Sequence, residues 1–347
     1  DRVEYGVLTG LIAEQDVPLD KLAHGHRADG QGDYPTRFGR RTGGVLAVQT
    51  IYRHLGHRLA RAWDALESWR LSRPFGHHVP VPVEMLRAAF RAGLELGMHV
   101  VLVDLHSSVV ESACERLREL VGQQQVIGVQ CDVTKTADLE RCVQHIKEKI
   151  PECAIGMVFA NAGVIFNNTI LNSDLEDWKT TLDVNVVGVV ATAKVFVPLL
   201  QAQQTDSVFC STASVGGLVR ADGRAASYQA SKHAVVALTE SLSFEIAKKS
   251  PQIRVCVLCP CIVTSSLMTS SQLNKKAATG ALNQDLEQIE PTQHQFSMSP
   301  ENHARQVFDL MGNGKFYLVT DNVKPYVEHD HPFNAKEIIG ERFKNLE

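Results

Sequence analysis

Six apolar segments of strand length recur along the chain, separated by stretches with a helical pattern. The strand-like segments cover residues 101–104, 126–134, 154–163, 207–214, 253–260 and 316–320. Helical patterns such as 138–149 and 227–249 lie between them. Continuous apolar strands that alternate with helices are typical of a parallel sheet covered on both faces. The pattern therefore predicts an α/β fold, a doubly wound parallel sheet in three layers.

Small or polar residues stand where several of these strands end. Asp104, Asp132, Asn161 and Ser214 all close an apolar segment. The carboxyl ends of parallel strands meet at one edge of a sheet, and such sheets bind their ligands at that edge. We therefore expect these side chains to line one site.

A tyrosine and a lysine four residues apart, Tyr228 and Lys232, carry the clearest chemical signal. Residues i and i+4 share one face of a helix, so the phenol and the ammonium face the same space. A nearby ammonium favours the phenolate and lowers the pKa of a phenol, which is about 10 in water. A hydroxyl such as that of Ser214 can hold an alcohol or carbonyl oxygen while the tyrosine gives or takes its proton.

The order and spacing of these residues resemble the short-chain dehydrogenase/reductase family, classical type, over about residues 95 to 325. The resemblance is carried by residues at strand ends and on two helices: Asp104, Asp132, Val133, Asn161, Ala162, Gly163, Asn185, Ser214, Tyr228, Lys232, Pro260 and Thr264. It implies a Rossmann-like fold and an oxidoreductase that interconverts an alcohol and a ketone or aldehyde by hydride transfer.

The resemblance assigns catalytic roles to four residues. Tyr228 would be the general acid/base, and Lys232 would lower its pKa and reach the ribose hydroxyls of the nicotinamide nucleotide. Ser214 would orient the substrate oxygen. Asn185 is similar to the family residue that fixes a water linking the lysine to solvent; an amide that caps a break in its helix is the alternative.

The resemblance also assigns cofactor contacts. Asp104, with Leu105, would meet the adenosine ribose, and a carboxylate there repels a 2′-phosphate, so NAD(H) is favoured over NADP(H). Further contacts are implied with adenine for Asp132 and Val133, with the adenine ribose for Asn161, Ala162 and Gly163, and with nicotinamide for Pro260, Val263 and Thr264. Cys261 stands where the family usually has glycine.

One element of the family is missing or displaced. Members open with a strand that runs into a glycine-rich turn, whose backbone amides bind the pyrophosphate at a helix N-terminus. If residues 87–97 match the family's first helix, the last two glycines of the turn fall at Glu84 and Leu86. Residues 76–83 hold two prolines and no glycine pair. Proline removes amide donors and side chains block close approach, so the phosphate cradle is not expected there.

Residues 1–85 also differ in composition from the remainder. They hold ten arginines and one lysine, whereas residues 86–347 hold ten arginines and fourteen lysines. We interpret residues 1–85 as an atypical extension, non-native or poorly ordered, and residues 86–347 as the dehydrogenase domain. Residues 7–10, Val-Leu-Thr-Gly, are similar to the end of the missing first strand and the start of its turn. Without that strand, the centre of the sheet would contain an unpaired slot.

Composition excludes several classes of function. A net charge of -4 gives no electrostatic footprint for nucleic acid, and no apolar stretch is long enough for a membrane span. His54, His57, His77 and His78 lack a cysteine or carboxylate framework, so no metal site is expected. Eight dispersed cysteines favour reduced thiols and a cytoplasmic protein. Because the chain begins without methionine, the presence of a targeting peptide stays an open alternative.

The substrate is predicted only by class, as an alcohol/ketone pair of moderate size and some apolar character. In the family, the segment after Pro260 sets substrate choice, and here residues 265–300 resemble a mobile lid. The resemblance further implies a homodimer or homotetramer. A catalytically silent binding or scaffold protein of the same fold is the alternative, which the missing glycine turn favours and the four candidate catalytic residues oppose.

Overall fold

The computed structural model describes residues 9–14, 99–121, 126–151, 153–167, 169–219, 225–265, 267, 270–271 and 297–321. The strands in this part of the chain are β1 (Thr9–Glu14), β2 (His99–Asp104), β3 (Val126–Gln130), β4 (Ala154–Ala160), β5 (Ser207–Thr212), β6 (Ile253–Leu258) and β7 (Tyr317–Leu318). They form one sheet in the order β3-β2-β1-β4-β5-β6-β7. All pairings except those of β1 are parallel.

Helices cover both faces of this sheet. The described ones are α1 (Ser107–Val121), α2 (Thr136–Lys149), α3 (Leu175–Leu182), α4 (Gly188–Gln203), α5 (Ala226–Ala247) and α6 (Pro300–Gly312). A π-helical stretch, Asp183–Val187, joins α3 to α4, and a 3-10 turn, Val215–Gly217, follows β5. This arrangement confirms the predicted three-layer, doubly wound α/β fold.

Alternate residues of the strands enter two separate cores. Val101, Phe209 and Val257 pack with the layer that contains α2, α4 and α5. Leu102 and Val208 pack with the layer that contains α1 and α6. Because a strand directs successive side chains to opposite faces, a continuous apolar run fills both cores at once.

The central strand differs from the sequence-based expectation in its direction. β1 lies between β2 and β4 and is antiparallel to both. Thr9 pairs with Val103 and Glu14 pairs with Ala154, so Thr9 and Gly10 begin the strand at the carboxyl edge of its neighbours. Thr9 and Gly10 therefore do not end a parallel strand there, contrary to the expectation; residues 7 and 8 lie outside the described residues. A strand of either direction can satisfy the N–H and C=O groups of both neighbours, which explains how this segment fills the slot.

Several predictions fall outside the described residues. These are the helical pattern at residues 87–97, the segment 76–83, the histidines at 54, 57, 77 and 78, and most of the proposed lid. The division of the chain at residue 85 stays a prediction, although β1 belongs to the sheet. All eight cysteines lie in the described part of the chain as thiols rather than disulfides, and six of them are buried.

Among the described residues, one helical stretch, Leu175–Gln203, is long and apolar enough to cross a membrane by length and composition alone. It includes α3, the π-helical stretch and α4. Phe196 and Leu200 on its inner face belong to the core, and Asn185 within it is fully buried. A single helix of this kind does not establish a membrane span, because the core helix of a soluble protein can pass the same test.

Candidate active site

Asn185 lies in the π-helical stretch, and its side chain is 0% exposed. Its Oδ1 accepts a hydrogen bond from Val164 N at 2.7 Å, and its Nδ2 donates to Val164 O at 3.0 Å. Nδ2 also donates to Ser231 Oγ at 2.9 Å. Single π-helical turns within helices often mark functional sites. Here the turn brings an amide from the helix into contact with the loop that follows β4.

Gly163 lets two candidate catalytic side chains approach the same point. A Cβ atom added to Gly163 would lie 3.3 Å from Asn185 Oδ1 and 3.3 Å from Lys232 Nζ. These distances are tighter than most real Cβ contacts, so a side chain here would press on both groups. The Asn-Ala-Gly sequence after β4 thus leaves room for Asn185 and Lys232 to face one space.

Tyr228 and Lys232 lie one turn apart near the start of α5, as the spacing predicts. Lys232 Nζ is 5.4 Å from the centroid of the Tyr228 ring and donates a hydrogen bond to Thr212 O at 2.9 Å. Lys232 is 3% exposed, whereas Tyr228 is half-buried. The ammonium is therefore fixed between the end of β5 and the tyrosine ring.

Burial shifts the pKa values of both groups in the direction that favours their neutral forms. The pKa of Lys232 is lowered to about 8 because the ammonium is desolvated, and the Cys259 thiol acts weakly against this shift. Burial raises the pKa of Tyr228, although a hydrogen bond with the Ser214 side chain lowers it in part. Burial therefore outweighs the lowering of the Tyr228 pKa that was expected from Lys232.

Ser214 stands at the start of the 3-10 turn after β5. Its Oγ accepts a hydrogen bond from Gly216 N at 3.1 Å and is hydrogen-bonded to the Tyr228 side chain. The turn is tied to the strand beside it because Val215 N donates to Pro260 O at 2.8 Å. Pro260 thus supports the Ser214 turn through its carbonyl group.

Gly217 sets how closely this turn packs against α5. A Cβ atom added to Gly217 would lie 2.5 Å from Lys232 O and 2.7 Å from Lys232 C, which are backbone atoms that cannot rotate away. We predict that Gly217→Ala lowers the free energy of unfolding by about 1–3 kcal/mol through overpacking. Thermal or denaturant unfolding measures the effect.

Gly216 provides the matched control for this prediction. A Cβ atom there would lie 3.6 Å from Ser214 Oγ, an ordinary contact, and its neighbour is a side-chain atom. Gly216→Ala should therefore leave the unfolding transition nearly unchanged. Equal stability of the two variants would contradict the assigned role of Gly217.

Asp104 ends β2 at the same edge of the sheet. It is 4% exposed, and its Oδ1 accepts a hydrogen bond from His106 N at 3.0 Å. Burial raises its pKa to about 6, against the hydrogen bond from His106. Leu105 is buried, and its carbonyl oxygen accepts a hydrogen bond from Gln130 Nε2 at 3.0 Å. The carboxylate thus stands in the turn between β2 and α1.

Asp132 and Val133 follow β3, and both take part in local contacts. Asp132 Oδ1 accepts hydrogen bonds from the hydroxyl and the amide of Thr134, and Oδ2 lies 2.9 Å from Lys135 Nζ. Burial acts to raise the pKa of Asp132, but these hydrogen bonds lower it overall. Val133 is buried, and its Cγ2 would lie 2.9 Å from a Cβ atom at Gly188. The Asp132 carboxylate therefore stabilises its own turn.

The remaining predicted site residues follow β4 and β6. Asn161 and Ala162 precede Gly163 in the loop after β4. Val263 forms a parallel bridge with Met298, and Thr264 N donates to Met298 O at 3.1 Å. This bridge joins the two ends of the segment predicted to be a lid, most of which lies outside the described residues. Cys261 is half-buried.

The structure brings Asn185, Ser214, Tyr228, Lys232 and Gly163 together at the carboxyl edge. The ends of β2 and β3 lie at the same edge, on the far side of β1. Sequence reasoning missed Ser231, Gly217 and Cys259. Ser231 stands inside the Tyr-Gln-Ala-Ser-Lys segment, but no local pattern marks which of its neighbours it contacts. No group of three or more His, Cys, Asp or Glu side chains that could hold a metal is found among the described residues.

The chain is similar to known proteins of one family. A family model described as short chain dehydrogenase matches residues 87–276. The chain is 30% identical over 183 residues to meso-2,3-butanediol dehydrogenase of Serratia marcescens, covering 53% of this chain and 68% of the relative. It is 29% identical over 171 residues to a CLA biosynthesis dehydrogenase/reductase of Lactiplantibacillus plantarum, covering 49% of this chain and 58% of that relative.

The fold is also found among solved structures. A short chain dehydrogenase/reductase from Burkholderia phymatum, solved in complex with NAD, superposes with a TM-score of 0.58 at 26% identity. The match covers 72% of this chain and 89% of that protein. The family match, which spans more than half of the chain, supports a general oxidoreductase function. The chain belongs to the short chain dehydrogenase family.

Proposed function

We propose that the chain is an NAD(P)-dependent oxidoreductase that interconverts an alcohol and a ketone or aldehyde. The observation that carries the proposal is the hydrogen bond between the side chains of Ser214 and Tyr228, with Lys232 Nζ 5.4 Å from the tyrosine ring. A hydroxyl pair beside a fixed ammonium can hold a substrate oxygen and exchange a proton with it. The meso-2,3-butanediol dehydrogenase relative, whose name gives an alcohol substrate, supports the same reaction class.

The proposed mechanism follows from the contacts of four residues. In oxidation, Ser214 holds the substrate hydroxyl and the Tyr228 phenolate takes its proton. The Lys232 ammonium, fixed by Thr212 O, favours the phenolate because the opposite charge lies close to it. Asn185 is hydrogen-bonded to the loop after β4 and so holds this loop against the π-helical stretch in which Asn185 lies. A bound nicotinamide would accept the hydride, and in reduction the tyrosine would return the proton.

Two of the three parts of a nicotinamide dinucleotide fit the described residues. The Lys232 ammonium beside the Tyr228 ring suits the ribose of a nicotinamide nucleotide, whose hydroxyl groups it can meet. The end of β2, with Asp104, suits an adenosine ribose. The pyrophosphate has no glycine-rich turn in the described part of the chain, because β1 begins rather than ends at this edge.

We further propose a preference for NAD(H) over NADP(H), set by Asp104. An ionised carboxylate near the ribose repels a 2′-phosphate. We predict that Asp104→Asn lowers the ratio of the NADPH to the NADH dissociation constant by about tenfold, a modest value for one charge pair near a surface. Calorimetric titration of both nucleotides measures the ratio.

The control for Asp104→Asn is Glu245→Gln, which makes the same change in net charge. Glu245 is exposed near the end of α5. Its variant should keep the wild-type ratio. A ratio that falls equally in both variants would show a general charge effect, and an unchanged ratio in Asp104→Asn would remove Asp104 from the cofactor site.

The reaction class is tested with a panel of small secondary alcohols and their ketones, using NAD+ or NADH and following nicotinamide absorbance. The proposal expects turnover of at least one pair by the folded chain. A folded chain that binds NADH yet turns over no member of a broad panel would support the proposed nucleotide binding and contradict the proposed catalysis.

A binding or scaffold role without catalysis is the second candidate. The direction of β1 favours it, because the strand that precedes the family's phosphate turn is reversed here. The intact contacts of Ser214, Tyr228 and Lys232 favour the enzyme, since a silent protein has no need of this arrangement. The two candidates differ in whether the nucleotide binds.

We also propose self-association through the outer faces of α3, α4 and α5. On α5, Val235, Val236 and Ile246 are buried in the core, whereas Phe244 is 80% exposed. Leu182 and Val190 on the neighbouring segment are also exposed. We predict that the chain sediments as a dimer or tetramer and that Phe244→Ser shifts it toward monomer. A monomeric wild type would contradict this proposal.

A further inference from the structure

A buried serine joins two segments at the carboxyl edge of the sheet. Ser271 is 0% exposed, and its Oγ accepts a hydrogen bond from Ile165 N at 3.0 Å and donates one to Leu267 O at 2.7 Å. Ile165 lies in the loop after β4, whereas Leu267 and Ser271 are helical residues in the segment after β6. A serine hydroxyl has one proton, which Leu267 O receives, so its oxygen serves the Ile165 amide as an acceptor.

This link passes across the end of a third strand. β5 lies between β4 and β6 in the sheet, so the two segments leave strands that are about 10 Å apart, or two strand spacings. The hydrogen bond between Ile165 and Ser271 therefore spans the carboxyl end of β5. Ser214, the candidate residue for orienting the substrate oxygen, follows directly after that end.

The link lies on the face of the sheet that carries the candidate general acid/base. Val164 and Phe166, on either side of Ile165, are buried in the core that α2, α4 and α5 cover, and Leu267 packs against the same core. Tyr228 belongs to α5. Ile165 and Leu267 are themselves half-buried, so each keeps some exposed apolar surface beside the site.

The other hydrogen bonds described for these two segments hold them to different partners. The loop after β4 is bound by Asn185 at Val164, which joins it to the π-helical stretch. The segment after β6 is bound at Thr264 to Met298. Neither contact reaches from one segment to the other, so Ser271 supplies a separate link between them.

We propose that Ser271 is a positioning residue, which holds these two segments together so that Ile165 and Leu267 form an apolar wall of the substrate site. The proposal rests on the proposed function and narrows its substrate class to alcohols and ketones with an apolar carbon chain next to the reacting oxygen. Because Ser271 is fully buried, it acts on the substrate through the two residues that it binds, without contact of its own.

The link itself is tested by amide hydrogen exchange in the folded full chain, without nucleotide or substrate. We expect Ser271→Ala to speed the exchange of the Ile165 amide about fivefold, the effect of one net hydrogen bond. The Val164 amide, which donates to Asn185 Oδ1, should keep its wild-type rate. If Ser271→Ala does not fold, Ser271→Cys, whose thiol is a weaker acceptor, should change the same amide in the same direction.

Ser270→Ala is the matched control. Ser270 is half-buried in the same helical turn, and its Oγ donates to Leu267 O at 3.1 Å, the same carbonyl oxygen that Ser271 uses. The control therefore makes the same substitution and removes a hydrogen bond within the segment after β6. It should leave the exchange of Ile165 unchanged. An unchanged rate in the Ser271 variant, or an equal increase at Val164 and Ile165, overturns the proposal.

The effect on the substrate is tested by steady-state kinetics with secondary alcohols that carry an apolar chain. Ser271→Ala should raise KM about fourfold, the value of one buried methylene group, while kcat and the dissociation constant of NADH change little. Ser270→Ala should match the wild type. An active Ser271 variant with wild-type KM would overturn the apolar wall. A wild-type chain without oxidoreductase activity would contradict the proposed function, whereas the exchange rates would still decide whether Ser271 links the two segments.

Discussion

Tyr228→Phe is expected to lower kcat by about 10²–10⁴-fold, the range that a positioned general acid or base contributes. The variant keeps the ring that packs near Lys232 Nζ and loses only the hydroxyl that is hydrogen-bonded to Ser214. Substrate binding should change much less than kcat, because Ser214 still holds the substrate oxygen. Steady-state kinetics with the best alcohol/ketone pair measures the effect, and NADH titration confirms that the nucleotide site is intact.

Tyr317→Phe is the control for the loss of a phenol. Tyr317 lies on β7 and donates a hydrogen bond to Glu240 Oε1 on α5. Its variant should lose some stability and keep the wild-type kcat. Tyr228→Phe with more than about a tenth of the wild-type kcat would exclude Tyr228 as the general acid/base.

Lys232→Met is expected to lower kcat by about 10²-fold or more and to leave the protein at least as stable at pH 7. The activity falls because the Tyr228 phenolate loses the adjacent positive charge. The stability does not fall because burial of the ammonium is unfavourable, as its lowered pKa of about 8 indicates, and methionine fills a similar volume. Loss of function without loss of stability is typical of a residue retained for chemistry.

The pH dependence of stability gives the same residue a second test. Between about pH 8 and the ordinary lysine value of 10.5, the folded chain holds fewer protons at Lys232 than the unfolded chain. The contribution of Lys232 to the free energy of unfolding therefore rises with pH across this window. This rise should be present in the wild type, absent in Lys232→Met and kept in Lys249→Met, whose lysine is exposed at the end of α5. A wild-type slope equal to that of Lys232→Met would contradict the burial of the charge.

The sequence predicted the sheet, and it placed the candidate site residues at one edge of it, because both inferences depend on local patterns. The apolar runs mark strands that are buried on both faces, and residues at their carboxyl ends must share one edge. The spacing of Tyr228 and Lys232 places them on one helix face whatever surrounds them. These features require no knowledge of distant contacts.

The features that could not be predicted all depend on contacts between distant segments. The direction of β1 is fixed by its pairing with β2 and β4, and both directions satisfy the same slot. Gly217 matters because the backbone of Lys232 lies against it, and Ser231 matters because Asn185 reaches it from a π-helical stretch. The pKa of Tyr228 was predicted from its charged neighbour, whereas burial proved to be the larger influence.

The most direct test of the proposed function is calorimetric titration of the folded full chain with NADH, with NADPH in parallel. The reversed central strand removes the usual pyrophosphate turn from the described part of the chain, so nucleotide binding is the step on which the enzyme proposal depends. We predict micromolar binding of NADH and weaker binding of NADPH. A folded chain that binds neither nucleotide would contradict the enzyme proposal and favour a binding protein that keeps the catalytic residues of its family.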